Sequence, residues 1–379
     1  MAQRLMSLMW SFFRLERRSC FRLFMYRRKF TPIELECLPE ETLLKIVNHL
    51  QIQELPRFSH VSKRIRRICN DKTLWKIVDL SGRKVKAEFI KAILENDCEN
   101  LILRHTKIDG SINLSKISKL KYLNLDITDR DIEVSKPFFN EILLSCYYLQ
   151  KLVLGEPGYV LDTALLQRIF SQNGQTLDAL NFGFKYYDHM FLNCPSYFDE
   201  RMQSMMLVKL ILNHCTKLQE INLEYCYLHH DALSQLVSEL SPEMKKISLQ
   251  GNEQLTDEHI DTLVSRCKKI IALDIGGYGS NLYFCDISRL TNNAITSILN
   301  HLFCLTELDI TECPNITLEK VLELESLPKL QVLNYGWNEE MRSEYLDEMP
   351  GLMKKLPHLV INKKVDDDVI FVGDRIAKI

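Results

Sequence analysis

The residues best equipped for chemistry are twelve cysteines and ten histidines in a chain of 379. Zinc binding, thiol–disulfide exchange or nucleophilic attack would each need them at particular spacings. No Cys-x-x-Cys pair occurs, which removes RING-type zinc sites and thioredoxin-like redox motifs. His229 and His230 are adjacent and point apart on regular structure, so they read as a solvated loop pair rather than metal ligands. Glu220 and Glu224 lie close together, yet nothing near them suggests an acid tuned against a base. Phosphate-cradling glycine loops, the Gly-x-Ser-x-Gly elbow and His-Glu-x-x-His are absent. The chain is expected to have no catalytic residue, no cofactor and no metal.

The elements that would position any side chain are repeats. Segments of the form Leu-x-x-Leu-x-Leu occur at Leu120-Leu123-Leu125, Leu149-Leu152-Leu154, Leu177-Leu180-Phe182 and Leu218-Ile221-Leu223. They continue at Met244-Ile247-Leu249, Ile270-Leu273-Ile275, Leu305-Leu308-Ile310 and Leu330-Leu333-Tyr335. Middle positions are 25–29 residues apart except for steps of 41 and 35, which mark insertions near 185–201 and 276–289. That spacing sits in or near the ~20–29-residue period of leucine-rich repeats, one strand and one helix per repeat. Stacking them predicts a curved solenoid over residues 79–362, an α/β array with a concave parallel sheet and convex helices. Residues 79–120 follow the pattern only irregularly, and 363–379 form a tail whose Val369–Val372 run is apolar.

The cysteines belong to this frame. Phe139, Ile142, Leu143 and Cys146 stand at helical spacing, as do Val208, Ile211, Leu212 and Cys215, and Ile260, Leu263, Val264 and Cys267. Each cysteine falls six residues before the middle strand position of its repeat, which predicts reduced thiols in one small buried slot. Cys226, Asn252 and Cys313 follow their strands, where Asn or Cys meets the turning backbone. Asp231, Thr256, Thr291 and Thr317 are placed to start helices.

Composition points to a soluble protein, with 26% charged residues and no long apolar run to span a membrane. A formal charge of −2 gives no drive toward nucleic acid. Residues 1–30 carry eight basic side chains against one acid, with interleaved arginines that argue against a secretory signal. A disordered basic tail, membrane-surface attachment, a mitochondrial transit peptide and a nuclear import signal at Arg27-Arg28-Lys29 all fit 1–36. The cysteine usage favours a reducing compartment.

Residues 37–78 are a separate helical module. Leu43, Ile46, Val47 and Leu50 share one helical face after Pro39, and a second helix fits Glu54 to Ile68 with Leu55, Phe58, Val61 and Ile65 apolar. So short a unit rarely buries all its apolar groups, so a helical partner is expected to cover the rest. The elements Leu38-Pro39-Glu40, Leu50, Val61-Ser62-Lys63-Arg64 and Leu74-Trp75 resemble the F-box motif, with Ile65 where that motif often has Trp.

An F-box followed by cysteine-containing leucine-rich repeats resembles the F-box/leucine-rich-repeat family of ubiquitin-ligase receptors. The resemblance implies that Leu38, Pro39, Leu43, Ile46, Leu50, Leu55, Val61, Leu74 and Trp75 dock a Skp-type adaptor and, through it, a cullin–RING scaffold. It also implies a protein substrate held for ubiquitination and proteasomal degradation, with an accessory subunit that binds cyclin-dependent kinase, in nucleus and cytoplasm. A leucine-rich scaffold without a ligase role, mitochondrial by its basic N-terminus, stays open as the alternative. Strand alternation puts Glu220, Asn222, Glu224, Asp274, Glu307, Asp309 and Asn334 on the concave face, where an excess of acids predicts a partner with a basic surface.

Overall fold

The computed structural model describes residues 35–50, 52, 54–127, 132–155, 163–183, 200–277, 288–336 and 350–361. The basic N-terminal segment, the bulk of both insertions and the tail lie outside them. The chain divides between Trp75 and Lys76 into two compact units. Ile77 and Val78, grouped by pattern with the helical module, belong to the first strand of the second unit.

Among the described residues the first unit has three short α-helices. Helix α1 (Glu40–Val47) starts after Pro39, whose fixed φ suits a helix entry and whose missing N–H costs nothing there. The helix expected over Glu54–Ile68 is two, α2 (Glu54–Phe58) and α3 (Lys63–Cys69). Ser62 divides them. Its backbone is extended and its hydroxyl accepts the Ile65 N–H at 3.2 Å, so it caps α3 rather than continuing α2. Leu43, Val47, Leu55, Ile65, Ile68, Cys69 and Leu74 form the core of this unit.

The second unit is the repeat array. Its main sheet is wholly parallel and runs in the order β1 (Ile77–Asp79), β3 (Asn100–Ile102), β5 (Tyr122–Ile127), β6 (Lys151–Gly155), β7 (Ala179–Asn181) and β8 (Glu220–Asn222). It goes on through β9 (Lys246–Ser248), β10 (Ala272–Asp274), β11 (Glu307–Thr311), β12 (Val332–Gly336) and β13 (Val360–Ile361). Strands β2 (Lys84–Lys86) and β4 (Lys107–Asp109) pair separately. The helices are α4 (Ala87–Glu95), α5 (Ile132–Ser145), α6 (Thr163–Asn173), α7 (Glu200–His214) and α8 (His230–Glu239). They end with α9 (Asp257–Arg266), α10 (Asn292–His301), α11 (Leu318–Leu322) and α12 (Pro350–Lys355). Strands lie ~4.8 Å apart but packed helices ~8–10 Å, so such stacking bends with the sheet on the inside.

The residues that read as irregular supply two regular repeats. Val78 and Leu80, then Leu101 and Leu103, are fully buried at the phases later held by the Leu-x-Leu pairs. The same phase fixes the turns. Thr106 Oγ1 donates to Leu80 O at 2.9 Å, Cys226 Sγ to Phe182 O at 3.6 Å, Asn252 Nδ2 to Leu223 O at 2.9 Å and Cys313 Sγ to Ile275 O at 3.6 Å. Each donor reaches the carbonyl of the third apolar strand position one repeat back. The expectation for Cys226, Asn252 and Cys313 holds, and Thr106 joins them.

Candidate functional site

The helical module presents its apolar residues unequally. Leu43, Leu55 and Leu74, expected as adaptor contacts, are buried in its own core, with Leu74 at its edge at 9% exposure. A 3-4-7 pattern marks a stripe but not which part of it the neighbouring helices cover. Leu38, Ile46, Leu50 and Trp75 are half-buried, Pro39 is exposed and Val61 is 46% exposed. Leu44, Ile52 and Phe58 are also half-buried and extend the available surface. The motif's polar residues are internal braces. The Arg64 guanidinium donates to Leu38 O at 2.8 Å, and the Trp75 indole to Cys69 O at 3.0 Å. These bonds tie the Leu-Pro start and the final Trp to α3.

On the sheet, register brings Asp274, Asp309 and Asn334 into adjacent strands, with Ser248 between Asp274 and Asn222. They bond one another. Ser248 Oγ donates to Asp274 Oδ2 at 2.9 Å, and Asn334 Nδ2 to Asp309 Oδ2 at 2.8 Å. They also close their own strand ends. Asn222 Oδ1 accepts the Glu224 N–H at 2.9 Å, Asp274 Oδ1 that of Gly276 at 3.1 Å, and Asp309 Oδ1 that of Thr311 at 3.0 Å. Asn124 and Asn181 do the same at 3.0 and 2.7 Å. This is a ladder of side chains that mimic turn backbone. An Asn or Asp recurring at one phase, bonded two residues onward, was its sequence signal.

Burial corrects the picture of an open acidic face. Asn222 is 2% exposed, Asp274 5% and Glu224 8%. Burial above all, then the Asp309 and Glu224 carboxylates, hold the Asp274 carboxyl well above the usual range. Glu220 faces Lys246 in register, with Nζ–Oε1 at 3.4 Å. Glu307 is exposed, while Asp309 and Asn334 are half-buried. Lys246, Ser248 and Thr311, which strand alternation puts on the same face, join these contacts.

Cys146, Cys215 and Cys267 are buried as expected, and burial pushes the Cys215 thiol up to about 12 and that of Cys267 up to about 11. The slot is not uniformly small, because Leu302 and Leu327 fill the same phase. At another equivalent position, Gly174, an added Cβ would stand 2.5 Å from His214 O. Among the described residues no cluster of His, Cys, Asp and Glu is arranged to hold a metal. Among them, too, no helix is long and apolar enough to cross a membrane.

A three-helix module ahead of one-strand, one-helix repeats defines an F-box, leucine-rich-repeat protein. Two family matches agree: residues 35–81 match the F-box-like family, and residues 88–369 match the family described as the SKP2 LRR domain. The chain belongs to that SKP2-related family of F-box/leucine-rich-repeat proteins, whose members are typically non-catalytic substrate receptors. Solved structures are similar at low identity. The leucine-rich-repeat protein LegL7 from Legionella pneumophila is 15% identical over 64% of this chain and 73% of its own, with a TM-score of 0.39. The yeast Rad7–Elc1 complex is matched at 14% identity over 85% of this chain and 92% of that one, with a TM-score of 0.44.

Proposed function

We propose that the chain is the substrate-recognition subunit of a Skp–cullin–F-box ubiquitin ligase, active in nucleus and cytoplasm on substrates that include cell-cycle regulators. The observation that carries this reading is an F-box-like module in its own compact unit, joined directly to a repeat array. The surface formed by Leu38, Ile46, Leu50 and Trp75, widened by Leu44 and Phe58, supports docking of a helical Skp-type adaptor. The array holds the substrate, with an accessory subunit that binds cyclin-dependent kinase beside it. The chain contributes proximity: it raises the effective concentration of a substrate lysine near the charged conjugating enzyme. Its own residues need not touch the thioester.

Leu50→Asp tests the docking half. Placing an unpaired charge in an apolar contact costs several kcal/mol, so adaptor and cullin should vanish from co-precipitates. Undiminished capture of the adaptor by this variant overturns the proposal.

A further inference from the structure

We propose that Cys304 and Lys329 form an oxidation site: a peroxide oxidises the thiol, and the lysine nitrogen then closes on the sulfur and staples two neighbouring repeats. Lys329 Nζ lies 3.6 Å from Cys304 Sγ on the exposed rim of the array. Strand register sets this pair. Each residue stands immediately before the leading leucine of its repeat, Leu305 or Leu330, and the strands that follow pair Glu307 with Val332. The Gln331 N–H donates to Thr306 O at 2.8 Å, which holds the two rim segments side by side. The same slot of β9 and β10 holds Glu243 and Lys269 in an ion pair at 2.6 Å. A thiol therefore stands where the equivalent lysine partner is a carboxylate.

Accessibility separates this thiol from its buried counterparts. Burial pushes Cys98, Cys215 and Cys313 up to about 12 and Cys267 up to about 11, which keeps them protonated and inert at neutral pH. Cys304 is half-buried, next to Phe303 at 62% exposure, so a small oxidant reaches it. A cation beside a partly exposed thiol is the setting of reactive cysteines. In the first step one peroxide oxygen goes to the sulfur, giving sulfenic acid and water. The Lys329 ammonium then gives one proton to solvent, and its lone pair attacks the sulfur. The sulfenic hydroxyl leaves with a second proton from that nitrogen as water, and a sulfur–nitrogen bond remains. Sulfur is oxidised by two electrons and the peroxide is reduced; two external thiols reverse the bond and become a disulfide. The separation is close to the ~3–3.5 Å of a near-attack pair. Closing 25 residues of chain restricts the unfolded state as a disulfide does. The site involves no adaptor contact, so loss of adaptor capture by Leu50→Asp leaves it standing.

The test treats the full chain with a small excess of hydrogen peroxide, then digests it with trypsin for mass spectrometry. Wild type should give a species joining the peptide of Cys304 to that of Lys329, two hydrogens lighter than their sum and lost on adding dithiothreitol. Before digestion, the oxidised protein should melt above the reduced one. Lys329→Arg keeps the charge and removes the nucleophile, so the link should vanish and dimedone labelling of Cys304 sulfenic acid should rise. Cys37→Ser, which changes the exposed thiol of the other unit, should leave the link intact. No linked species, a link to Cys304 that survives Lys329→Arg, or oxidation of Cys304 straight to sulfinic acid overturns the proposal and leaves the pair as a surface contact. A linked species that keeps the added oxygen overturns the sulfur–nitrogen bond in favour of a sulfur–oxygen–nitrogen bridge.

Discussion

Asn252 and Cys267 are both buried repeat residues, but their removal should differ in kind. The Asn252 amide donates to Leu223 O and Leu249 O and accepts the Leu228 N–H, all at 2.9 Å. Asn252→Ala leaves these backbone groups unpaired in the interior and should cost about 3 kcal/mol in denaturant unfolding. Cys267→Ala removes one sulfur, whose hydrogen bond to Ser241 O at 3.4 Å is weak, and should cost about 1 kcal/mol. Asp274 makes a second contrast. Its carboxyl is held above the usual range in the fold, so the stability it contributes is complete at acid pH and is lost as pH rises through its folded value. Asp274→Asn keeps an acceptor for Gly276 and removes that loss. Its melting temperature should exceed wild type by several degrees at pH 8, with the gap closing toward pH 4. A variant less stable than wild type at pH 8 would show that the charge is compensated.

At the scale of the element, the start of α9 depends on a protonation state. The Thr256 N–H donates to His259 Nδ1 at 3.1 Å, and Nε2 lies 3.0 Å from Ser234 Oγ on α8. Burial first, and then the His230 ring at 4.7 Å, hold His259 below its ordinary value of 6.5, against the opposing pull of a hydrogen bond with the His230 backbone and of Glu258. A depressed histidine contributes stability that is complete above 6.5 and lost as pH falls below it. Melting between pH 7.5 and pH 5 should drop in wild type and flatten in His259→Gln, measured by circular dichroism. The joint between α6 and α7 tests packing instead. At Gly174 a Cβ would press on His214 O and Phe170 O, so Gly174→Ala should cost about 1–3 kcal/mol although its φ is ordinary.

For the whole molecule, two compact units imply separable failures. Leu50→Asp should disturb the module and its adaptor contact while the array keeps its own melting transition. A single transition shifted as a whole would show that the units unfold together. The array should in turn fold with few long-range dependencies, because each repeat bonds chiefly to its neighbours.

The sequence alone determined the repeat period, the two-part organisation, the burial of Cys146, Cys215 and Cys267, and the turn roles of Cys226, Asn252 and Cys313. Each follows from apolar residues recurring at a fixed phase, which is local information that survives without coordinates. The first repeats were obscured because Val78, Leu80, Leu101 and Leu103 lack the leading leucine of the motif, although backbone pairing places them in the same frame. Only the tertiary structure decided which module leucines remain available, because coverage of a helix face depends on elements far along the chain. It also showed that Asn222, Asp274, Asp309 and Asn334 are members of one hydrogen-bonded ladder. Alternation fixes the face a side chain leaves from, but its partner lies on the next strand, some 25–35 residues away. Burial and hydrogen bonding at that distance are properties of the stack, and no single repeat carries them.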